Sequence, residues 1–182
     1  NDASDTYVAW SWKANGGSTS TNNDGAIQST VQANTAAGFS IVTYTGSGSA
    51  STVGHGLGGV PEVMIIKNRS GGHSWAGFYH HRMAVTAAAS ATDYLSLDGT
   101  STLVDDSTIW NDTAPTSTVF TVGTASNTGS SANFIGYFFR SITGYSRCGS
   151  YLGNSQNDGS FIYLGFRPTW VLIKTASSSG DN

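Results

Sequence analysis

Asp105 and Asp106, with Asp93 and Asp98 close by, form the densest set of carboxylates in the chain. A glycosidase needs two carboxyl groups roughly 5–9.5 Å apart across the scissile bond, one with a raised pKa. Neighbouring residues of a strand point to opposite faces, so Asp105 and Asp106 are badly placed to be that pair. In their Ser/Thr-rich surroundings they read as solvated turn aspartates. EF-hand spacing is absent. His73, His80 and His81 bracket Trp75 and Tyr79. Zinc requires His, Cys or carboxylate ligands that converge at defined spacing, and neither HExxH nor CxxC occurs. On a strand, His73 and His81 share a face far apart, while His80 faces the other way. Gly54-His55-Gly56-Leu57-Gly58-Gly59 matches G-x-G-x-x-G, but it leads into an apolar strand run. A phosphate cradle needs a helix start there, so these are read as turn glycines. No G-x-S-x-G elbow and no P-loop are found. Cys148 is alone, which excludes an intrachain disulfide, and it reads as a buried small hydrophobe. No catalytic, cofactor-binding or metal-ligating residue is assigned, and no enzyme activity is expected.

The aromatic residues offer different chemistry. Sugars stack on exposed aromatic faces, while nearby polar groups hydrogen-bond their hydroxyls. Trp75, His80, His81 and Trp110 are the candidate glycan contacts. Against this stands the core reading, in which Trp10, Trp12, Trp75, Trp110 and Trp170 fill the interior, where large rings contribute most burial.

These side chains must be positioned by strands. The 182 residues include 27 Ser, 22 Thr and 23 Gly, with 10% charged and 12% aromatic. Disordered chains are aromatic-poor and charge-rich, so the chain folds. A helical bundle would draw about half its residues from Ala, Glu, Lys, Leu and Arg, yet Glu62 is the only glutamate. The net charge of −3 provides no basic footprint for nucleic acid. No apolar run approaches the ~20 residues of a membrane-spanning helix. No basic and apolar leader follows Asn1, so no export signal is expected, and both ends read as cut from a longer polypeptide.

Strand signals recur in Tyr7–Trp12, Phe39–Tyr44, Val63–Ile66, Ser74–Tyr79, Tyr94–Leu97, Val119–Val122, Phe134–Arg140, Ser160–Leu164 and Thr169–Ile173. Gly/Ser/Asn/Asp clusters separate them, as in a β-sandwich or barrel. His81–Thr92 is rich in alanine and reads as a single helical turn or a crossing loop. Residues 15–37 read as a long polar excursion, either functional or a variable surface insertion.

An internal repeat orders these segments. At a shift of 107 residues, Gly46 meets Gly153, Leu57-Gly58 meets Leu164-Gly165, Pro61 meets Pro168, and Ile66-Lys67 meets Ile173-Lys174. With one residue of slippage, Gly38-Phe39-Ser40 meets Gly144-Tyr145-Ser146. Tyr7-Val8-Ala9-Trp10 lies over Phe134-Ile135-Gly136-Tyr137, and Lys13 over Arg140. Gly58 and Gly165 suit a turn that needs positive φ or a close backbone approach, and each proline is expected to start or edge a strand. The expected fold is all-β, a jelly-roll or lectin-like sandwich built from this repeat. Residues 1–125 make a first copy with an insertion at 15–37, and 126–182 make a partial second copy.

The stretches Tyr7–Lys13, Gly38–Gly46, Gly54–Lys67, Trp110–Gly123 and Gly144–Gly153 resemble a family of repeat-bearing proteins of tailed, often marine, bacteriophages. The resemblance implies a virion- or tail-fibre-associated β-domain without established enzymatic activity, and it carries over no catalytic residues. The chain departs from the family pattern by ending partway through its second repeat. The resulting expectation is a non-enzymatic structural or adhesion module, located in a virion or extracellularly. Its expected partners are itself as a homo-oligomer, other virion proteins and host surface glycans, with no nucleic acid and no membrane span. Alternatives are a filament or shell subunit without a ligand, and a polysaccharide depolymerase acting through its aspartates.

Overall fold

Alternation of buried and half-exposed side chains turns Phe39–Thr45 and Asn133–Phe139 into the two longest strands. A computed structural model describes residues 6, 7, 9, 11–73, 75, 77–82 and 91–177. Its strands are β1 (Ser20–Asn22), β2 (Ser29–Asn34), β3 (Phe39–Thr45), β4 (Ser51–Gly54), β5 (Val63–Asn68) and β6 (Gly77–His80). There follow β7 (Asp93–Tyr94), β8 (Val104–Asp105), the one-turn helix α1 (Ser107–Trp110), β9 (Val119–Val122) and β10 (Asn133–Phe139). The described fold is all-β apart from that turn.

One antiparallel sheet has the order β1-β2-β3-β10-β5-β6, and two ribbons pair β4 with β9 and β7 with β8. The last long strand, β10, therefore lies in the middle, with Tyr137 opposite both Ile41 and Ile65. Its inner face carries Phe134 and Phe138, fully buried with Val42, Met64 and Ile66 of the flanking strands. The β4–β9 ribbon closes this core: Phe120 sits 4.8 Å from Phe138 and 5.7 Å from Tyr44, centroid to centroid. Ile109 and Trp110 of α1 join the same cluster. Gly136 is glycine for a steric reason, since a Cβ there would stand 2.6 Å from the Phe138 ring and 2.8 Å from Ile66 Cδ1. Apart from the buried Ser40 and Asn68, the inner-face side chains of β3, β5 and β10 are apolar or aromatic, so burial drives the association of strands remote in sequence.

The structure revises several expectations. Residues 15–37 are not merely a polar excursion, because they contain β1 and β2. Their large apolar residues facing the core are the buried Val31 and the half-buried Ile27, too few for the pattern to announce a strand. A boundary at 125/126 would cut the sheet, because β10 completes it from beyond that point. Ser160–Leu164 and Thr169–Ile173 are not strands, and Tyr7–Trp12 forms none at its described positions. Phe161 is 90% exposed, so the apolar pattern there finds nothing in this arrangement to pack on. Most of the alanine-rich stretch, 83–90, lies outside the described residues. No described helix is long and apolar enough to cross a membrane.

Candidate functional site

The outer face of the large sheet is where ligand chemistry collects. Ile135, Tyr137 and Phe139 of β10 point there, half-buried, beside Val63, Ile65 and Lys67 of β5. After β5 the chain turns back and brings Trp75 over this face. Trp75 is pinned from both sides of its peptide: its N–H donates to the Asp98 carboxylate at 2.9 Å, and its carbonyl accepts from Leu97 N–H at 2.8 Å. Its ring lies near-parallel to Tyr137, 6.4 Å and 28° apart. Lys67 Nζ stands 5.4 Å from the indole centroid, within cation–π range, and also donates to the His73 carbonyl. Trp75 stays half-buried, so part of the ring meets solvent.

Along the same strands the surface becomes polar. A shallow groove of about 340 Å³ is lined by Gln28, Thr30, Thr43, Thr45, Arg69 and Asn133, among others. Thr43 faces Ile135 across the ladder, and Ile135 faces Lys67, so groove and aromatic platform adjoin. Thr45 Oγ1 donates to Asn133 Oδ1 at 2.9 Å. The arrangement offers hydroxyl, amide and guanidinium groups beside a stacked aromatic pair. Such a surface can stack a flat apolar face and hydrogen-bond its polar rim.

The four candidate glycan contacts divide. Trp75 lies on the platform. His80 and His81 lie at the end of β6, half-buried, their rings stacked 4.9 Å apart. Burial first, and the neighbouring His81 second, push His80 down to about 4, so it is neutral at physiological pH. Arg82 binds both rings, through its N–H to His80 Nδ1 and its Nε to His81 Nε2. Trp110 must be withdrawn as a surface contact: it is 1% exposed, and its Nε1 donates to the Asp93 carbonyl at 3.1 Å. The competing core reading holds for this tryptophan. The sequence pattern missed Tyr137 and Lys67, although period-two alternation across Phe134–Arg140 already placed Tyr137 with Ile135 on one face.

The carboxylates of Asp93, Asp98 and Asp106 are committed to structure. Asp106 caps α1, its Oδ1 accepting from Thr108 N–H and Oγ1 at 2.9 and 2.7 Å. Asp105 pairs by its backbone with Asp93, and Asp98 anchors Trp75. Among the described residues no three His, Cys, Asp or Glu side chains are grouped to hold a metal ion. The glycine-rich loop after β4 leads into β5 as expected, and its His55 is a core residue. His55 Nδ1 accepts from Leu57 N–H at 3.1 Å, so Nε2, 3.2 Å from the Thr116 carbonyl, carries the proton. Cys148 is half-buried, its thiol pushed up to about 12 by burial, with the Glu62 carboxylate adding to the rise. A thiol held protonated in this way is a poor nucleophile.

The chain belongs to a family described as a domain of unknown function (DUF7483), which it matches over residues 1–182. No curated protein and no solved structure matches it.

Proposed function

We propose that this DUF7483 domain is a non-enzymatic structural and adhesion module of a virion, fibre or other extracellular assembly, and that its outer sheet face binds neutral saccharides. The observation that carries the reading is the Trp75–Tyr137–Lys67 platform beside a groove of Gln, Thr, Arg and Asn side chains. An aromatic face for the sugar ring, with hydroxyl, amide and guanidinium groups to hydrogen-bond its hydroxyls, is what carbohydrate recognition needs. Of the aspartates that a depolymerase would use, Asp106 holds a helix cap, Asp98 a loop anchor, and Asp93 accepts from the Thr92 hydroxyl. The assembly context rests on the sequence resemblance to phage proteins.

The finer architecture belongs to the same reading: a lectin- or jelly-roll-like sandwich in which residues 126–182 begin a second copy of the first. The backbone supports it at aligned glycines. Gly58 and Gly165 have φ of 73° and 80°, and Gly38 and Gly144 have 66° and 74°. Side chains rarely adopt such angles, so both alignments pair positions with the same local demand.

A glycan array with the purified chain tests adhesion. Binding to neutral glycans that Trp75→Ala abolishes supports it, and no binding on any glycan removes the adhesive role. Immunogold labelling of intact particles tests location, and label absent from particles overturns the virion assignment. A shell or filament subunit is the second reading, favoured by the exposed apolar residues Leu152, Phe161 and Tyr163. Label along a polymer, with no glycan bound, would select it.

A further inference from the structure

The outer face of the large sheet has a second concavity, at the end of β3 and β10 away from the polar groove. The ladder sets the two apart: Thr45 pairs with Asn133 at the groove end, and Phe39 with Phe139 at the other, six residues along the strand. At about 3.3 Å per residue that is roughly 20 Å. Trp12 meets the Phe139 ring there, with centroids 6.3 Å apart and planes at 73°. Trp170 meets the same indole at 5.2 Å and 87°. Held by two rings, Trp12 is still 42% exposed. With Tyr145, 60% exposed, it lines a cleft of about 540 Å³ that also takes in Ser11, Lys13 and Asn34. Ligand clefts commonly measure ~300–1,000 Å³.

Backbone hydrogen bonds fix the other walls. Asn34 opens the turn between β2 and β3, where Ala37 N–H donates to the Asn34 carbonyl at 3.1 Å and to its Oδ1 at 3.0 Å. Arg140 Nη2 holds the same turn through the Thr35 carbonyl, at 3.0 Å. Tyr145 rides on a second turn. Its N–H and that of Ser146 both donate to the Ile142 carbonyl at 3.0 Å, and Ser146 Oγ donates to the Arg140 carbonyl at 3.1 Å. Walls ordered in advance reduce what a ligand loses in ordering them.

The chemistry of this cleft differs from that of the platform. None of its described lining residues is acidic, and the exposed Lys13 is the one charge among them. Asn34 Oδ1 is taken by Ala37, which leaves the Nδ2 hydrogens for a ligand. An ammonium and an amide N–H₂ match the two oxygens of a carboxylate, whereas the three terminal oxygens of a sulfate ester ask for more donors. The exposed indole suits the flat face of a ring. We propose that the cleft is a second ligand site and that it takes a hexuronate ring, the carboxylate-bearing sugar of acidic polysaccharides. The ring stacks on Trp12, its carboxylate meets Lys13 and Asn34 Nδ2, and the Ser11 hydroxyl serves a ring hydroxyl. No lining residue is shared with the polar groove, so this site stands apart from the neutral-saccharide reading.

Calorimetric titration of the purified chain with oligogalacturonate, and with the same oligomer after reduction of its carboxyl groups, tests the proposal. Both titrations are repeated in Trp75→Ala, which takes out the platform and should leave uronate binding unchanged. In that background the reduced oligomer should bind about tenfold more weakly than the uronate, the loss of one charge-assisted hydrogen bond. Added salt should weaken uronate binding, because the Lys13 charge is exposed. Lys13→Gln should cost the uronate about tenfold and leave the reduced oligomer as it was. Trp12→Ala should abolish uronate binding. Both side chains are exposed, and a melting curve like the parent's confirms that each variant folds. No uronate binding, equal affinity for the two oligomers, or a uronate response untouched by Lys13→Gln would each overturn the site. Tighter binding of a sulfated galactan oligomer would overturn the carboxylate assignment. Neutral glycans are read through Trp75→Ala, so failure here leaves the adhesion reading standing.

Discussion

The Tyr44 hydroxyl donates to the Thr128 carbonyl at 2.7 Å, tying β3 to a loop 84 residues further along. Thr128 in turn donates through Oγ1 to the Ile109 carbonyl of α1 at 2.9 Å. Two buried side chains therefore connect the large sheet, the loop before β10 and the helical turn. Tyr44→Phe keeps the stack on Phe134, 5.1 Å away, but leaves the Thr128 carbonyl without its donor. A loss of about 1–2 kcal/mol is expected in urea denaturation, with an unchanged m-value.

Stability should fall as the pH is lowered through the histidine range. Burial lowers the pKa of His55, and His80 sits at about 4, against an ordinary value near 6.5. Between those values the unfolded chain binds more protons than the folded one, so stability is full above about pH 6.5 and declines toward pH 4. Thermal midpoints across that window should show the decline. His80→Gln, which cannot titrate, should flatten part of it, and an identical pH profile in this variant would remove His80 as a contributor.

Trp110 and Trp75 should separate stability from binding. Trp110→Ala empties a fully buried site and leaves the Asp93 carbonyl without its indole donor, at a cost of about 3–5 kcal/mol. Trp75→Ala removes a half-buried ring and should cost much less, on the order of 1 kcal/mol, while abolishing saccharide binding. Calorimetric melting alongside glycan binding distinguishes the two.

Gly136→Ala should be destabilising despite a strand's general dislike of glycine. Its Cβ would enter the space held by Ile66 Cδ1 and the Phe138 ring. Overpacking of about 1–3 kcal/mol is expected in chemical denaturation. Gly144→Ala meets no atom within 4 Å, so only its φ of 74° opposes it, and the smaller loss would show that packing sets the cost at Gly136.

Much of the strand inventory was legible along the chain. Phe39–Thr45, Val63–Asn68, Val119–Val122 and Asn133–Phe139 have enough alternating or β-branched apolar residues to show themselves locally. Ser29–Asn34 did not, because its core contact depends on one valine and on Ser29, whose hydroxyl donates to the Gly54 carbonyl at 2.7 Å. Thr169–Ile173 had the composition of a strand but no ladder in this arrangement. Strand propensity describes how a side chain suits a half-buried pleat, and it needs a neighbour to be realised.

The candidate site divides the same way. Residue type and spacing left both the surface and the core reading open for Trp75 and Trp110, and the two aspartates read as solvated turn residues lie in β8 and at the cap of α1. Trp110 and Trp75 differ by which layer covers them. The sequence by itself determined an all-β chain, its longest strands and the turns that need glycine, because those depend on local sterics and period. Only the tertiary structure decided that β10 lies between β3 and β5, that Trp110 is sealed beneath β7, and that Trp75 meets Tyr137 and Lys67. Backbone ladders are chemically alike in every strand, so the choice among partners comes from the total apolar area buried across distant segments, which no local window contains.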